Sequence, residues 1–321
     1  MKNVPIKLTE QNWDNDTIPV VSVFSWVFNH KEFIRQSIES ILMQETTFPV
    51  EIIIQDDASN DGTRQIIEEY QSKYPNLFKN IFFSENQYSK GRSIMNNFFE
   101  KPKGKYIALN HGDDYWIDTL KLQKQFDLIE KNPNCNIVFH NCNTINHLGV
   151  QLNLVYDKKV NKELTIKDLI KGEFTKTCTV IVRNGSVNNN SKILDDTVIF
   201  MEALENGKTA LYIDEVMSAY RIHEGGIWSM KPASYRFLQA EIIEDYIDQK
   251  YRKIYPILIK NRINNFYFSQ SIQLLQSHFY MLSVRVYFKY VKKENSLRNG
   301  VINSLRYFKW FILGLCKKRV V

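Results

Sequence analysis

The 321-residue sequence predicts an α/β fold in which a Rossmann-like, mainly parallel central sheet is flanked by helices and followed by an all-helical C-terminal segment. Three observations carry this reading. Strand-like and helix-like segments alternate through the first half, which implies right-handed crossovers between parallel strands. Two pairs of adjacent acids, Asp56 with Asp57 and Asp113 with Asp114, each follow a strand-like run, and ligands of such sheets bind beyond the carboxyl ends of the strands. After Trp228 the apolar spacing is helical throughout.

Each element has its own signal. "VVSVF" (Val20 to Phe24) is a β-branched and aromatic run, read as a strand. In "KEFIRQSIESILMQ" (Lys31 to Gln44), Phe33, Ile34, Ile38, Ile41 and Leu42 recur on one helical face. "VEIIIQ" (Val50 to Gln55) is the next strand; the turn-forming loop "DDASNDG" follows, and Gly62 opens a helix to Tyr74. "NIFFS" reads as a strand, "SIMNNFFE" as a weak helix, and "YIAL" (Tyr106 to Leu109) as the strand leading into "NHGDDYW". A helix from Asp118 to Lys131 ends at "NPN", and strands are expected at Asn136 to Asn141, Ile145 to Tyr156 and Thr179 to Arg183. A helix from about Thr197 to Asn206 stops at Gly207, and "ALYID" and "VMSAYRIHEGGIWS" complete the α/β part. Pro256 and the polar "KENSLRNG" separate the C-terminal helices.

Composition narrows the class. With 44% apolar and 24% charged residues the chain is ordinary for a globular protein and long enough to bury a large core. No segment reaches the roughly 20 apolar residues that span a bilayer, and the N-terminus lacks an apolar stretch of signal-peptide length, so a cytoplasmic protein is expected. Cys135, Cys142, Cys178 and Cys316 form no CxxC pair and read as reduced packing residues. The net charge of +7 resides in the tail: from Met281 to Val321, ten Lys and Arg face the single Glu294.

Two adjacent carboxylates repel unless a positive group lies beside them. Carboxylate oxygens suit Mg²⁺ or Mn²⁺, which complete their shells with water and substrate phosphates, so an ion bridging Asp114 and a diphosphate accounts for the pair. The alternative is that Asp113 and Asp114 serve as a cap and a turn before the next helix.

The ordered stretches "VSVFSWVFNHKEFIRQSIESILMQ", "VEIIIQDDASNDGT", "ENQYSKGR", "GKYIALNHGDDYWIDTLKLQKQ" and "YRIHEGGIWS", covering Ile18 to Ser229, resemble a family 2 glycosyltransferase of the GT-A fold, of the bacterial cell-surface polysaccharide type. That resemblance implies a catalytic domain over residues 1–228, with a nucleotide-sugar half over about 18–116 and an acceptor half over 117–228, and a separate helical region over 229–321. It implies that Asp57 contacts the nucleobase of the donor, with UDP favoured, and that Ser25, Trp26 and Phe28 line the same pocket in the turn after the first strand. A small polar residue and a Tyr are more usual in that turn. Asp113 and Asp114 match the DxD-like element, Asp114 binding Mn²⁺ or Mg²⁺ and Asp113 holding ribose, sugar or a metal-bound water. "LDDTVIFMEALENGK" resembles the acceptor-side segment, which makes Asp196 the candidate catalytic base, with Asp195 beside it; an ordinary helix cap is the alternative. Arg221 and His223 are expected to contact the diphosphate or complete the metal shell, and Arg92 to neutralise a phosphate. Tyr115 and Trp116 wall the sugar or acceptor subsite, or else pack in the core. His30, His111, His140, His147 and His278 are read as surface or packing residues, and Tyr88 as either a wall or a core residue.

The expected reaction is an inverting, metal-dependent transfer of one sugar from a nucleotide sugar to a glycan acceptor on a lipid carrier. "SLRYFKWFILGLCKKRVV" sets Leu305, Phe308, Phe311, Ile312 and Leu315 on one face among basic residues, as a helix lying in an anionic membrane surface does. The expected location is therefore cytoplasmic, peripheral on the inner face of the plasma membrane, with a homodimer left open. No nucleic-acid partner is expected, because no recognised module accompanies the basic tail. A nucleotidyltransferase and a non-catalytic sugar-binding subunit are the competing readings.

Overall fold

The continuous apolar runs of the sequence form the central strands, buried along their whole length, as parallel strands covered on both faces are. A computed structural model describes residues 4–14, 16–90, 96–156, 162–172, 176–187, 195–226, 231–293, 304, 307 and 309. Arg92 and the amphipathic stretch of the tail, apart from Lys309 and its neighbours 304 and 307, lie outside the described residues.

In chain order the strands are β1 (Ile6–Lys7), β2 (Val21–Val27), β3 (Glu45–Thr46), β4 (Val50–Asp56), β5 (Ile81–Phe82), β6 (Tyr106–His111), β7 (Tyr115–Trp116), β8 (Cys135–Asn146), β9 (Gln151–Leu154), β10 (Glu163–Leu164), β11 (Ile181–Arg183) and β12 (Thr209–Ile222). The helices are α1 (Ile34–Leu42), α2 (Thr63–Lys73), α3 (Asn96–Glu100), α4 (Lys121–Lys131), α5 (Ile166–Lys171), α6 (Asp196–Ala203), α7 (Ala233–Tyr251), α8 (Pro256–Gln276) and α9 (Tyr280–Lys293). The chain divides into two compact units: residues 1–169 with 173–225, and 170–172 with 226–321.

The first unit is built on a sheet ordered β10-β12-β8-β11-β6-β2-β4-β5, with β7 on β12 and β9 on β8. Strands β6, β2, β4 and β5 are parallel, as the alternation predicts. Short β11 enters antiparallel to both β6 and β8, so the sheet is mixed. Ile34, Ile38, Ile41 and Leu42 of α1 lie in the core with Val21, Val23, Ile52 and Ile54, which fixes the helical face read from the sequence. The expected single strand over Ile145 to Tyr156 is instead a hairpin. Asn146 Oδ1 accepts the N–H groups of Leu148 and Val150, and Gly149 takes φ 82°. That Asn-bearing turn reverses the chain where the apolar pattern continues.

The second unit contains α7, α8 and α9. Pro256 stands at the start of α8, where its missing N–H costs nothing. The Arg262 guanidinium grips Glu244 through two bonds of 2.7 Å, joining α8 to α7. No described helix is long and apolar enough to cross a membrane.

Candidate active site

Parallel pairing sets the carboxyl ends of three strands side by side. Val27 is in register with Asp56, and Trp26 with His111, so both acid-bearing loops leave the same edge of the sheet. The turn between β2 and α1 is stitched to the loop after β4: Ser59 Oγ accepts the Asn29 N–H, Asn29 Oδ1 accepts the Asn60 N–H, and Asp61 Oδ2 accepts the Lys31 N–H. Asn29 takes the left-handed conformation, φ 53°, which Asn tolerates better than most residues.

Across the crevice, β12 pairs antiparallel with β7, Ser218 opposite Trp116 and Ala219 opposite Tyr115. This brings the end of β12 onto the "GDD" loop. The Arg221 N–H donates to Asp114 Oδ1 at 2.9 Å, and His223 Nε2 lies 3.0 Å from Asp113 Oδ2. His30 Nε2 stands 3.8 Å from the same Asp113 oxygen.

The two adjacent acids have opposite electrostatics. Burial alone would raise Asp113, but the nearby His30, His223 and His111 outweigh it and hold this carboxyl well below the usual range. Asp114 is pushed well above its ordinary value by burial, with Cys178 and the Asp113 charge adding to it. The two neighbours are thus shifted in opposite directions, Asp113 toward the anion and Asp114 toward the acid. Burial lowers His30 and His111 from their ordinary values, against the opposing pull of the Asp113 charge.

Among the described residues, two groupings could hold a cation: His30, Asp113 and His223, and His111, Asp113 and Asp114. Asp113 is common to both. Asp113 Oδ1 and Asp114 Oδ2 are buried without a hydrogen-bond partner, an expensive state that a cation would relieve. The donor set and the orphaned oxygens fit a divalent ion.

A second acidic pair opens α6. Asp195 caps the helix by accepting the Thr197 N–H at 2.9 Å. Asp196 Oδ2 accepts the Thr177 hydroxyl at 2.9 Å, and its Oδ1 accepts the Thr197 N–H. Burial and the Asp196 charge raise Asp195 to about 7. Tyr220 links the pairs: burial raises its phenol first, and the charges of Asp114, Asp113, Cys178 and Asp196 raise it further. Lys176 Nζ lies 4.5 Å above the Tyr220 ring.

Several sequence expectations need correction. Trp116 is no wall of a subsite: it is 1% exposed, donates to the Cys178 carbonyl at 3.0 Å, and carries the buried Lys121 ammonium 4.0 Å over its ring. Tyr115 is partly exposed on β7. Ser25 and Trp26 lie inside β2 and are buried; only Phe28 belongs to the following turn. The Arg221 guanidinium is spent within the protein, donating to the carbonyls of Asp113, Asn146 and His147 and to Gln36 Oε1, while lying 4.6 Å over Phe33. Asp57 receives the N–H groups of Gln87 and Tyr88, so it shapes the loop beside the crevice. His30 and His111, read as packing residues, stand in the cation groupings. His111 stands two residues before Asp113 in the sequence, whereas no local pattern signals His30, which only the β2–β6 pairing brings to the "GDD" loop.

Gly112 is where that loop touches His30. A Cβ there would meet His30 Nδ1 and Val27 Cγ2 at 2.8 Å each, and neither can retreat from the buried turn. Gly112→Ala is expected to cost about 1–3 kcal/mol through overpacking. The urea midpoint measures it, and an unchanged midpoint would show that the loop has slack.

The comparisons with known proteins agree on a family. The sequence model described as "Glycosyl transferase family 2" matches residues 22–183. "Uncharacterized protein Rv1520" of Mycobacterium tuberculosis is 32% identical over 214 residues, 65% of this chain and 60% of that protein. The chain thus spans about 60% of the length of the mycobacterial relatives it matches. The Escherichia coli UDP-Glc:alpha-D-GlcNAc-diphosphoundecaprenol beta-1,3-glucosyltransferase WfgD is 25% identical over 245 residues, 74% of this chain and 91% of that one. Among solved structures, the mannosyltransferase PcManGT of Pyrobaculum calidifontis, in complex with GDP-Man and Mn²⁺, aligns with TM-score 0.53 at 13% identity, covering 96% of this chain and 88% of that one. That likeness gives the GT-A-like fold.

Proposed function

The chain belongs to glycosyl transferase family 2, and on that premise we propose that it moves a single sugar, with inversion and in a metal-dependent way, from a nucleotide sugar to a glycan on a lipid carrier. The observation that supports it is the grouping of Asp113 with His30 and His223, together with a second acidic pair, Asp195 and Asp196, at the start of α6. Displacement at an anomeric carbon needs two separated functions: stabilisation of the departing diphosphate and a base for the attacking hydroxyl.

Asp113 and His223 would hold a divalent cation. The chemistry such an ion supplies, when held, is neutralisation of charge on the departing diphosphate. Asp114, bonded to the Arg221 N–H, fixes the loop that aims Asp113. Arg221 acts through its carbonyl contacts as a clasp on the same loop. Asp196, oriented by the Thr177 hydroxyl, takes the proton of the acceptor hydroxyl, and Asp195 caps the helix beside it. Asp57 forms the base pocket by holding Gln87 and Tyr88, with Phe28 opposite.

UDP is the favoured donor nucleotide, since WfgD is named for UDP-Glc, and its diphosphoundecaprenol-linked acceptor suggests the acceptor class here. Work on such an acceptor would bring the chain to the inner face of the plasma membrane as a peripheral protein. The test is incubation with UDP-glucose, UDP-GlcNAc or GDP-mannose and a GlcNAc-diphospholipid, with Mn²⁺ or with EDTA, reading the product by mass and its anomeric configuration by NMR. An inverted product formed only with metal is expected. A retained configuration, or equal yield in EDTA, would contradict the mechanism.

A further inference from the structure

We infer that His30 is a third protein ligand of the cation held by Asp113 and His223, completing a two-histidine, one-carboxylate set that favours first-row transition ions such as Mn²⁺ over Mg²⁺. The inference rests on the metal-dependent donor site proposed above and adds a residue and an ion preference to it.

The His30 imidazole is buried, and among the described residues it makes no hydrogen bond. Nδ1 is enclosed without a partner, and Nε2, at 3.8 Å from Asp113 Oδ2, is beyond bonding range. Nδ1 faces Gly112, which leaves Nε2 as the nitrogen directed toward Asp113. The ring is also held in place. The His30 carbonyl accepts the N–H groups of Phe33 and Ile34 at 2.9 and 2.8 Å, anchoring the residue to the start of α1. Gly112 leaves room for the ring where any side chain would collide with it.

The His223 ring approaches from the opposite strand, 6.0 Å from His30 between centroids and steeply inclined to it at 78°. Its Nε2 shares Asp113 Oδ2 with His30, and the three ligand atoms lie within 4.8 Å of one another. Ligands about 2.0–2.2 Å from one ion stand roughly 3–3.6 Å apart, so a small closure of His30 suffices. Mg²⁺ prefers oxygen ligands and keeps its waters, whereas imidazole nitrogens suit transition ions. Two histidines against one carboxylate tilt the site toward the latter.

The full chain with UDP bound is titrated with Mn²⁺ while the free-ion EPR signal is followed, and Mg²⁺ is added as competitor. Pulsed EPR then counts imidazole nitrogens coupled to the bound ion. The expected result is coupling from two histidines in the wild type and from one in His30→Ala, with Mn²⁺ affinity at least about tenfold weaker in that variant and Mg²⁺ affinity changed far less. His30→Gln, which preserves volume and a polar tip, should behave like His30→Ala and guards against a folding artefact. A wild type that binds UDP and Mn²⁺ with only one coupled histidine, or variants that bind Mn²⁺ as the wild type does, would overturn the inference and leave the donor-site reading standing. A wild type that binds Mn²⁺ with two coupled histidines but never binds UDP would instead overturn the donor-site reading.

Discussion

Replacing Asp113 by Asn is expected to lower sugar transfer by about 10³-fold, because the cation that would neutralise the departing diphosphate loses its anionic ligand. Asn keeps the shape and an oxygen facing His223, so the fold should survive; what disappears is the anion that His30, His223 and His111 hold ionised. The same substitution at Asp114 should do much less, within about tenfold, because a neutral amide oxygen can still accept the Arg221 N–H at the position Asp114 Oδ1 occupies. Steady-state transfer with saturating donor and metal compares the two variants. Equal losses at both positions would show that the adjacent acids share one role, against the asymmetry their surroundings impose.

Asp196→Asn is expected to leave donor binding intact and to reduce the transfer rate by about 10²–10⁴-fold, the usual worth of a positioned general base. Thr177 and Thr197 still find an oxygen on the amide, so the helix start is preserved. Its neighbour shapes the pH profile. Asp195, raised to about 7, is protonated in mildly acidic solution, and its ionisation places a negative charge beside Asp196. Transfer should therefore rise with pH through about 7, and Asp195→Asn should flatten that limb while leaving measurable activity. The linkage runs the other way for stability. A folded-state value above the unfolded one means that the native state binds more protons, so the stability contributed by Asp195 is complete below about pH 4 and is lost as pH rises through about 7. Asp195→Asn, which retains the cap, should melt higher than the wild type at pH 8 and alike at pH 4. An unshifted melting temperature at pH 8 would show that ionising Asp195 carries no cost.

Much of this was legible in the sequence where one local pattern decides the outcome. The apolar runs of β2, β4 and β6 and the stripe of α1 fix the parallel core, and the strand-end rule places Asp57, Asp113 and Asp114 on one edge. Where the outcome depends on distant partners, the sequence was silent or misleading. Trp116 follows the acidic pair but turns into the core because Cys178, far along the chain, offers its carbonyl. Arg221 carries a charge that invites a phosphate, yet four acceptors from three other segments consume it. Tyr220 stands next to Arg221 in β12, and no local pattern tells that its phenol feels the charges of Asp113, Asp114 and Asp196 together.

The central claim is that one crevice at the strand ends binds a nucleotide sugar through Asp113 and the loop held by Asp57. Calorimetric titration of the wild type, Asp57→Ala and Asp113→Asn with UDP, in Mn²⁺ and in EDTA, tests it most directly. Mn²⁺-dependent binding is expected in the wild type, with loss of the metal dependence in Asp113→Asn and weak binding with or without metal in Asp57→Ala. Binding that is equal in all three proteins and indifferent to EDTA would contradict it.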